Sequence, residues 1–462
     1  MFFGVGLHFL ARKNVSLDKS FAGKEACVER DSLKELLAWQ SNPKRKPLLI
    51  RGARQVGKTW LMQEFGRRHY AKSLYINFEN NPQMTALFRL NFDLERIKLG
   101  LELETNQKID PASTLLIFDE IQAAPEALAA LKYFQEQAPE LQIVAAGSLL
   151  GVALHAQTSF PVGKVDFLDL HPMTFAEFLT ALGKEALVQR IEQGDWELLK
   201  TFKTTYIEAL KTYLIVGGMP EVVQDYVHNL DFNNVRALQK RILLAYEQDF
   251  SKHVPAVDVP KLRQLWNSIP SQLAKENRKF IYGAVRKGSR AKEYERSLLW
   301  LNDCGLTHQI SRVTAPKVPL QAYQCTKAFK LYSLDVGLLG CQANLAPRIL
   351  LEGDDLFVEF KGALTEQFVL QELCCQPNLT ISYWTNDAGS AEIDFLIESD
   401  GKIIPVEVKA SINLKSKSLQ VFREKYNPSI ALRISLADFR LENALCDLPL
   451  YALAGLKNVL QF

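Results

Sequence analysis

The run Lys46-Pro-Leu-Leu-Ile-Arg-Gly52-Ala-Arg-Gln-Val-Gly57-Lys58-Thr59-Trp60 decides the fold. Residues 46–52 are a short apolar run ending in glycine, the pattern of a buried strand. Gly52 to Thr59 then satisfies GxxxxGK[ST], and the helix-forming sequence TWLMQEFGRR follows at once. Glycines at these positions let backbone N–H groups wrap phosphates, and the new helix aims its positive dipole end at them. Lys58 would reach the β- and γ-phosphates and the Thr59 hydroxyl would meet Mg²⁺. The expected nucleotide-binding set is Gly52, Ala53, Arg54, Gln55, Val56, Gly57, Lys58, Thr59 and Trp60.

Outward from this loop, SLYINFE (73–79), LLIFDE (115–120), LQIVAAGS (141–148) and KVDFLDL (164–170) read as strands. Helix-like stretches such as PEALAALKYFQEQ (125–137) separate them, so the expectation is an α/β core: a parallel sheet covered on both faces. LLIFDE ends in two adjacent carboxylates, costly to bury unless partnered. Asp119 would hold Mg²⁺ through water, and Glu120 would orient and deprotonate the attacking water. The plainer alternative is that the pair caps the next helix. The Asp-Glu pair favours hydrolysis over kinase chemistry, and without an NKxD motif ATP is preferred to GTP. The strand ending in Gly147-Ser148 should lie between the P-loop strand and the Asp119 strand. Ser148 is then either a γ-phosphate sensor or a strand-end turn residue. No arginine finger can be assigned: Arg51 and Arg54 lie in or beside the loop, while Lys164, Arg236 and Arg241 are remote.

The 462 residues are too many for one core and imply about three domains. A net charge of +3 does not by itself argue for nucleic acid. Seven cysteines without a CxxC pair fit a reducing, cytoplasmic setting and argue against zinc. The apolar start MFFGVGLHFL lacks a basic flank, and no apolar run reaches membrane-spanning length, so no membrane association is expected. The chain divides into an extension (1–29), a P-loop core (30–180), a helical lid (181–256) interrupted by LIVGGMPEVV, a module at 257–345 and a mixed α/β segment at 346–462.

AEIDFLIESDGKIIPVEVKA (391–410) carries a second constellation. Alternating runs flank Asp400-Gly401, a two-residue hairpin signal. With those two residues as the turn, Asp394 faces Glu407 and Glu392 faces Lys409. Ile393, Phe395 and Ile397 against Ile404, Val406 and Val408 would form the apolar face. Like charges directly opposed destabilise a sheet, whereas a divalent cation would turn the clash into a site. Lys409 could orient water or stabilise transferring charge. In GALTEQFVLQEL (362–373), Glu366 shares a stripe with Ala363, Val369, Leu370 and Leu373, so it is either functional or paired with a cation. The alternative for the whole set is a polar sheet face with Lys409 bridging acids.

Between Lys275 and Arg296 stand eight basic residues and three acidic ones, followed by a helix pattern over 289–306 and a strand-like THQISRV. Arg290, Lys292 and Arg296 would contact DNA in a winged-helix layout, or else form a solvated helix face.

With KPLLIRGARQVGKT, LLIFDEIQ, VAAGS, YLIVGGMPEVV, FKLYSLDVGLL and EIDFLIE…IIPVEVKA in place, residues 30–462 resemble a large prokaryotic family of AAA-type (ASCE P-loop) ATPases. The resemblance implies an ATPase core, a helical lid, a winged helix and a restriction-endonuclease-like C-terminal domain. It implies Gly218 and Pro220 near the adenine of ATP. It also implies a PD-(D/E)XK nuclease site: Glu366, Asp394 and Glu407 as metal ligands, with Lys409. Many relatives carry Gly-Arg where this chain has Gly163-Lys164; as a finger Lys164 would lack the planar fork of arginine. The expected action is on DNA, with a non-cleaving nucleotide-dependent switch as the alternative. The oligomeric state is left open.

Overall fold

A computed structural model describes residues 29–148, 160–275, 278–352, 358–386, 388–412 and 415–460. The apolar start and Cys27 lie outside the described residues. The first sheet has five strands in the order β2-β3-β4-β1-β5. They are β1 (Leu48–Arg51), β2 (Lys72–Asn77), β3 (Thr114–Asp119), β4 (Gln142–Ala146) and β5 (Asp166–Asp169). Every pairing is parallel, and β4 lies between β1 and β3, as its sequence position requires. Alternation along β3 shows why the sheet needs two covers. Leu115 and Ile117 pack with Leu61, Met62 and Phe65 of the helix Lys58–His69. Leu116 and Phe118 pack on the opposite face with Phe88 and Phe134 from the helices Pro82–Leu90 and Pro125–Gln137. Burial on both faces is what makes these strands near-continuous apolar runs.

Six helices follow between Phe175 and His253, including Phe175–Ala181, Lys203–Val216, Pro220–Asn229 and Phe232–His253. The break at Gly217-Gly218 has a steric cause. A Cβ at Gly218 would sit 2.2 Å from Met173 O, and Met173 N donates to Gly218 O at 2.7 Å. Only glycine lets the lid backbone approach the core this closely.

The helices Val259–Leu273 and Ala291–Asp303 lead into a hairpin of β6 (Thr307–Val313) and β7 (Gln324–Ser333). β6 pairs in parallel with β8 (Thr380–Thr385). The hairpin expected in a separate module is therefore continuous with the C-terminal sheet, an eight-stranded sheet in the order β12-β13-β11-β10-β9-β8-β6-β7. Its remaining strands are β9 (Glu392–Ser399), β10 (Lys402–Val408), β11 (Ala431–Ser435), β12 (Arg440–Glu442) and β13 (Leu445–Pro449). The helix Val358–Cys374 covers one face.

The β9–β10 hairpin turns at Asp400-Gly401, with Lys402 opposite Ser399 and Val406 opposite Phe395. One expectation fails: Ile393 does not share a face with Phe395 and Ile397. Ser382 pairs with Leu396, whereas Trp384 pairs with Ile393, so β9 holds one extra residue around Asp394. The bulge turns Ile393 toward Trp384, Leu419 and Phe422. Bulges commonly re-aim a side chain in this way.

Candidate functional site

The P-loop follows β1 and is shaped by positive φ at Gly52 (148°), Gln55 (67°) and Gly57 (95°). A Cβ at Gly52 would lie 2.3 Å from Leu170 O, so glycine is required there for space as well as for conformation. The loop ends where the helix Lys58–His69 begins, exposing its first N–H groups. Lys58 Nζ donates to Gly52 O at 2.9 Å and Ala53 O at 2.7 Å. Burial pushes its pKa down to about 8, against the pull of Glu120 and Asp119.

The two ends of the loop and the tip of β3 meet. Thr59 Oγ1 donates to Asp119 Oδ2 at 2.7 Å, and Tyr75 OH donates to the same oxygen at 2.8 Å. Glu120 has φ 48°, a left-handed backbone that costs a non-glycine residue of order 1 kcal/mol. Its Oε2 accepts from Gln122 Nε2 and from Ser148 Oγ, the latter at 3.2 Å. Thr59 and Asp119 present adjacent hard oxygens, a donor set that suits Mg²⁺.

A cavity of about 1030 Å³ opens over these groups. Arg54, Gln55, Gly57, Lys58, Thr59, Trp60, Glu120 and Pro220 line it. Gly52, Ala53 and Ser148 line an adjoining cavity of about 300 Å³. Val56 is fully buried. Gly218 is not among the residues lining this cavity, and it donates its N–H to Asp335 Oδ2 at 2.6 Å. Arg54 is committed to Asp249, and Tyr246 OH holds Arg54 O at 2.8 Å, which ties the P-loop to the helix Phe232–His253. Lys164 pairs with Glu136 at 2.9 Å.

Sequence reasoning passes over Arg30. Its guanidinium bonds Glu177 at 3.0 Å, the P-loop carbonyl of Val56 at 2.9 Å and His171 O at 2.7 Å. No local signal marks it, because its partners lie 26 to 147 positions away. Tyr75 was findable: Tyr75 and Asn77 are the polar positions of β2, alternating with Leu74 and Ile76.

In the C-terminal sheet the paired register of β9 and β10 ends at Val406 opposite Phe395, next to Glu407 and Asp394, and Val408 N donates to Asp394 Oδ2 at 2.8 Å. Glu407 Oε1 lies 2.6 Å from Lys409 Nζ, while Oε2 is buried without a hydrogen-bond partner. Burial and then Asp394 push the Glu407 carboxyl up. Glu366 is 3% exposed, and burial and then the neighbouring Asp394 push its carboxyl up. It is also bonded to Arg278 and accepts from Tyr332 OH at 3.1 Å. Lys330 Nζ stands 3.9 Å from Glu366 and 2.6 Å from Glu392. Among the described residues no three His, Cys, Asp or Glu side chains are disposed to hold a metal ion. The three-carboxylate cage expected from Glu366, Asp394 and Glu407 is thus not assembled, because Glu366 turns toward cations. Asp394 and Glu407, with the orphaned Glu407 oxygen, are the remaining carboxylate pair.

Arg286, Lys287, Arg290, Lys292 and Arg296 are exposed, but Arg278, counted in the same basic run, is not. No helix among the described residues is long and apolar enough to cross a membrane.

Residues 44–179 match the AAA domain family. Residues 207–348 and 361–453 match two domains of unknown function, DUF8612 and DUF4143. No curated protein matches the chain. Among solved structures it is similar to the Walker-type ATPase PABY2304 of Pyrococcus abyssi, at 15% identity over 69% of this chain and 97% of that one, with a TM-score of 0.43. Aeropyrum pernix Orc1 in complex with DNA gives 13% identity over 68% and 91%, with a TM-score of 0.30. Thermotoga maritima RuvB T158V gives 15% over 63% and 89%, with a TM-score of 0.26. At such scores the likeness carries no argument. Together with the site geometry, the family match makes residues 44–179 an AAA-type P-loop domain.

Proposed function

We propose that the chain binds ATP between its P-loop and the helix Pro220–Asn229, hydrolyses it, and couples that cycle to a C-terminal carboxylate site acting on DNA. One observation carries the ATP half: Lys58, Thr59 and Glu120 line one cavity, with Asp119 bonded to Thr59 and Ser148 bonded to Glu120. Backbone N–H groups of the loop and Lys58 bind the phosphates. Glu120 takes the proton of the attacking water, and Ser148 holds the Glu120 carboxylate in place. When bound, Mg²⁺ neutralises developing charge on the phosphates, and Thr59 and Asp119 are placed to hold it. Pro220 packs against the base, while Gly218 sets the approach of the lid.

In the C-terminal half, Asp394 and Glu407 would hold a divalent ion that polarises a phosphodiester, and Lys409 stabilises the charge that develops. The exposed Arg286, Lys287, Arg290, Lys292 and Arg296 offer phosphate contacts that would deliver duplex DNA to this site. A second reading draws on the Arg278–Glu366 pair: with one carboxylate withdrawn, the domain recognises a partner without cutting it. ATP turnover measured with and without duplex and single-stranded DNA, with the same DNA scored for nicking in Mn²⁺, separates the two. Cleavage lost in Asp394→Asn supports the first reading. DNA left intact after long incubation, beside normal ATP turnover, supports the second. Absence of ATP turnover under every condition would defeat both.

A further inference from the structure

The side-chain cluster around Asp394 contains more charge than a metal site needs. Four carboxylates (Glu366, Glu392, Asp394, Glu407) and three cations (Arg278, Lys330, Lys409) contact one another. The carboxylates exceed the cations by one. Arg278 has a fitted seat. A Cβ at Gly362 would lie 2.8 Å from its Nη2, so the helix Val358–Cys374 has a notch one turn before Glu366 in which the guanidinium rests. Lys330 is fully buried behind it and bridges Glu366 and Glu392.

We infer that Arg278 is an internal counter-cation that removes Glu366 from metal ligation, leaving the C-terminal site with two carboxylate ligands, Asp394 and Glu407, and room for one ion. The inference rests on reading Asp394 and Glu407 as a metal site. A guanidinium and a divalent cation both require carboxylate lone pairs, and Glu366 gives its own to Arg278. Without Arg278, Glu366 and Asp394 become two neighbouring carboxylates with less compensation. A divalent ion then gains a third ligand and loses a repelling charge.

The test uses the full chain without nucleotide, titrated with Mn²⁺ and followed by its paramagnetic resonance signal and by calorimetry. Wild type should bind one Mn²⁺ that Asp394→Asn abolishes. Arg278→Met should bind Mn²⁺ at least about tenfold more tightly, and adding Glu366→Gln should reverse that gain. Gly362→Ala fills the notch without changing any charge, favours its helix, and should shift affinity in the same direction. The inference is overturned if wild type binds Mn²⁺ but Arg278→Met and Gly362→Ala bind it with affinities within about twofold of wild type. If neither wild type nor any variant binds Mn²⁺, the reading of the domain as a metal site falls as well. Nucleotide binding at the P-loop, measured on the same samples, confirms that each variant is folded.

Discussion

Replacing Arg30 with methionine tests whether the P-loop is braced from the N-terminal side of the core. The pair it forms with Glu177 is deeply buried, with side chains 3% and 6% exposed at 3.0 Å. Removing one member of such a pair leaves the other charge uncompensated and costs about 3–5 kcal/mol. Glu177 keeps two backbone donors, from Asp31 and Thr174, which places the loss near the lower end, at about 3 kcal/mol. The carbonyls of Val56 and His171 also lose their donor, adding about 1–3 kcal/mol together. Urea unfolding followed by tryptophan fluorescence should report this loss. Arg30→Met combined with Glu177→Gln should cost less than the sum of the singles by more than about 1 kcal/mol. Because Val56 belongs to the loop itself, Mg-ATP affinity should weaken as well. A stability loss below about 1 kcal/mol, with unchanged nucleotide affinity, would refute the bracing role.

Glu120→Gln should bind ATP as wild type does but turn it over about 10²–10⁴-fold more slowly, checked by single-turnover kinetics. Lys58 titrates at about 8 because burial favours its neutral form, whereas a bound triphosphate favours the charged form. ATP affinity should therefore hold below that pH and fall by up to about tenfold per unit above it, with proton uptake visible by calorimetry in buffers of different ionisation heat. Burial pushes the Glu372 carboxyl from its ordinary 4.5 up to about 8. Its folded pKa lies above the unfolded one, so its contribution to stability is full below pH 4.5 and lost as pH rises through about 8. Glu372→Gln mimics the protonated form and retains an acceptor for Phe175 N–H, which donates to Glu372 Oε1 at 2.8 Å. The variant should match wild type near pH 5 and exceed its stability by more than about 1 kcal/mol near pH 8.5, read from denaturation midpoints.

What the sequence revealed was whatever sequence spacing determines. The P-loop, the β3 carboxylates and the place of β4 follow from local pattern and short-range geometry. The turn at Asp400-Gly401 fixes the register as far as Phe395 opposite Val406. The bulge at Asp394 escaped because it depends on how β8 pairs, and a strand read alone has an uninterrupted period of two. The Glu366 stripe posed two options, function or a cation partner. Only the fold decides, by bringing Arg278 from 88 residues away. The bond from Gly218 N–H to Asp335, far along the chain, leaves no local signal either. Arg30 gave no signal because all its partners are remote and two of them are peptide carbonyls.

The account stands most directly on calorimetric titration of the folded chain with Mg-ATP. Binding at one site per chain, abolished by Lys58→Ala while far-UV dichroism stays unchanged, is the predicted result. No heat from folded wild type, or equal heat from Lys58→Ala, would contradict it.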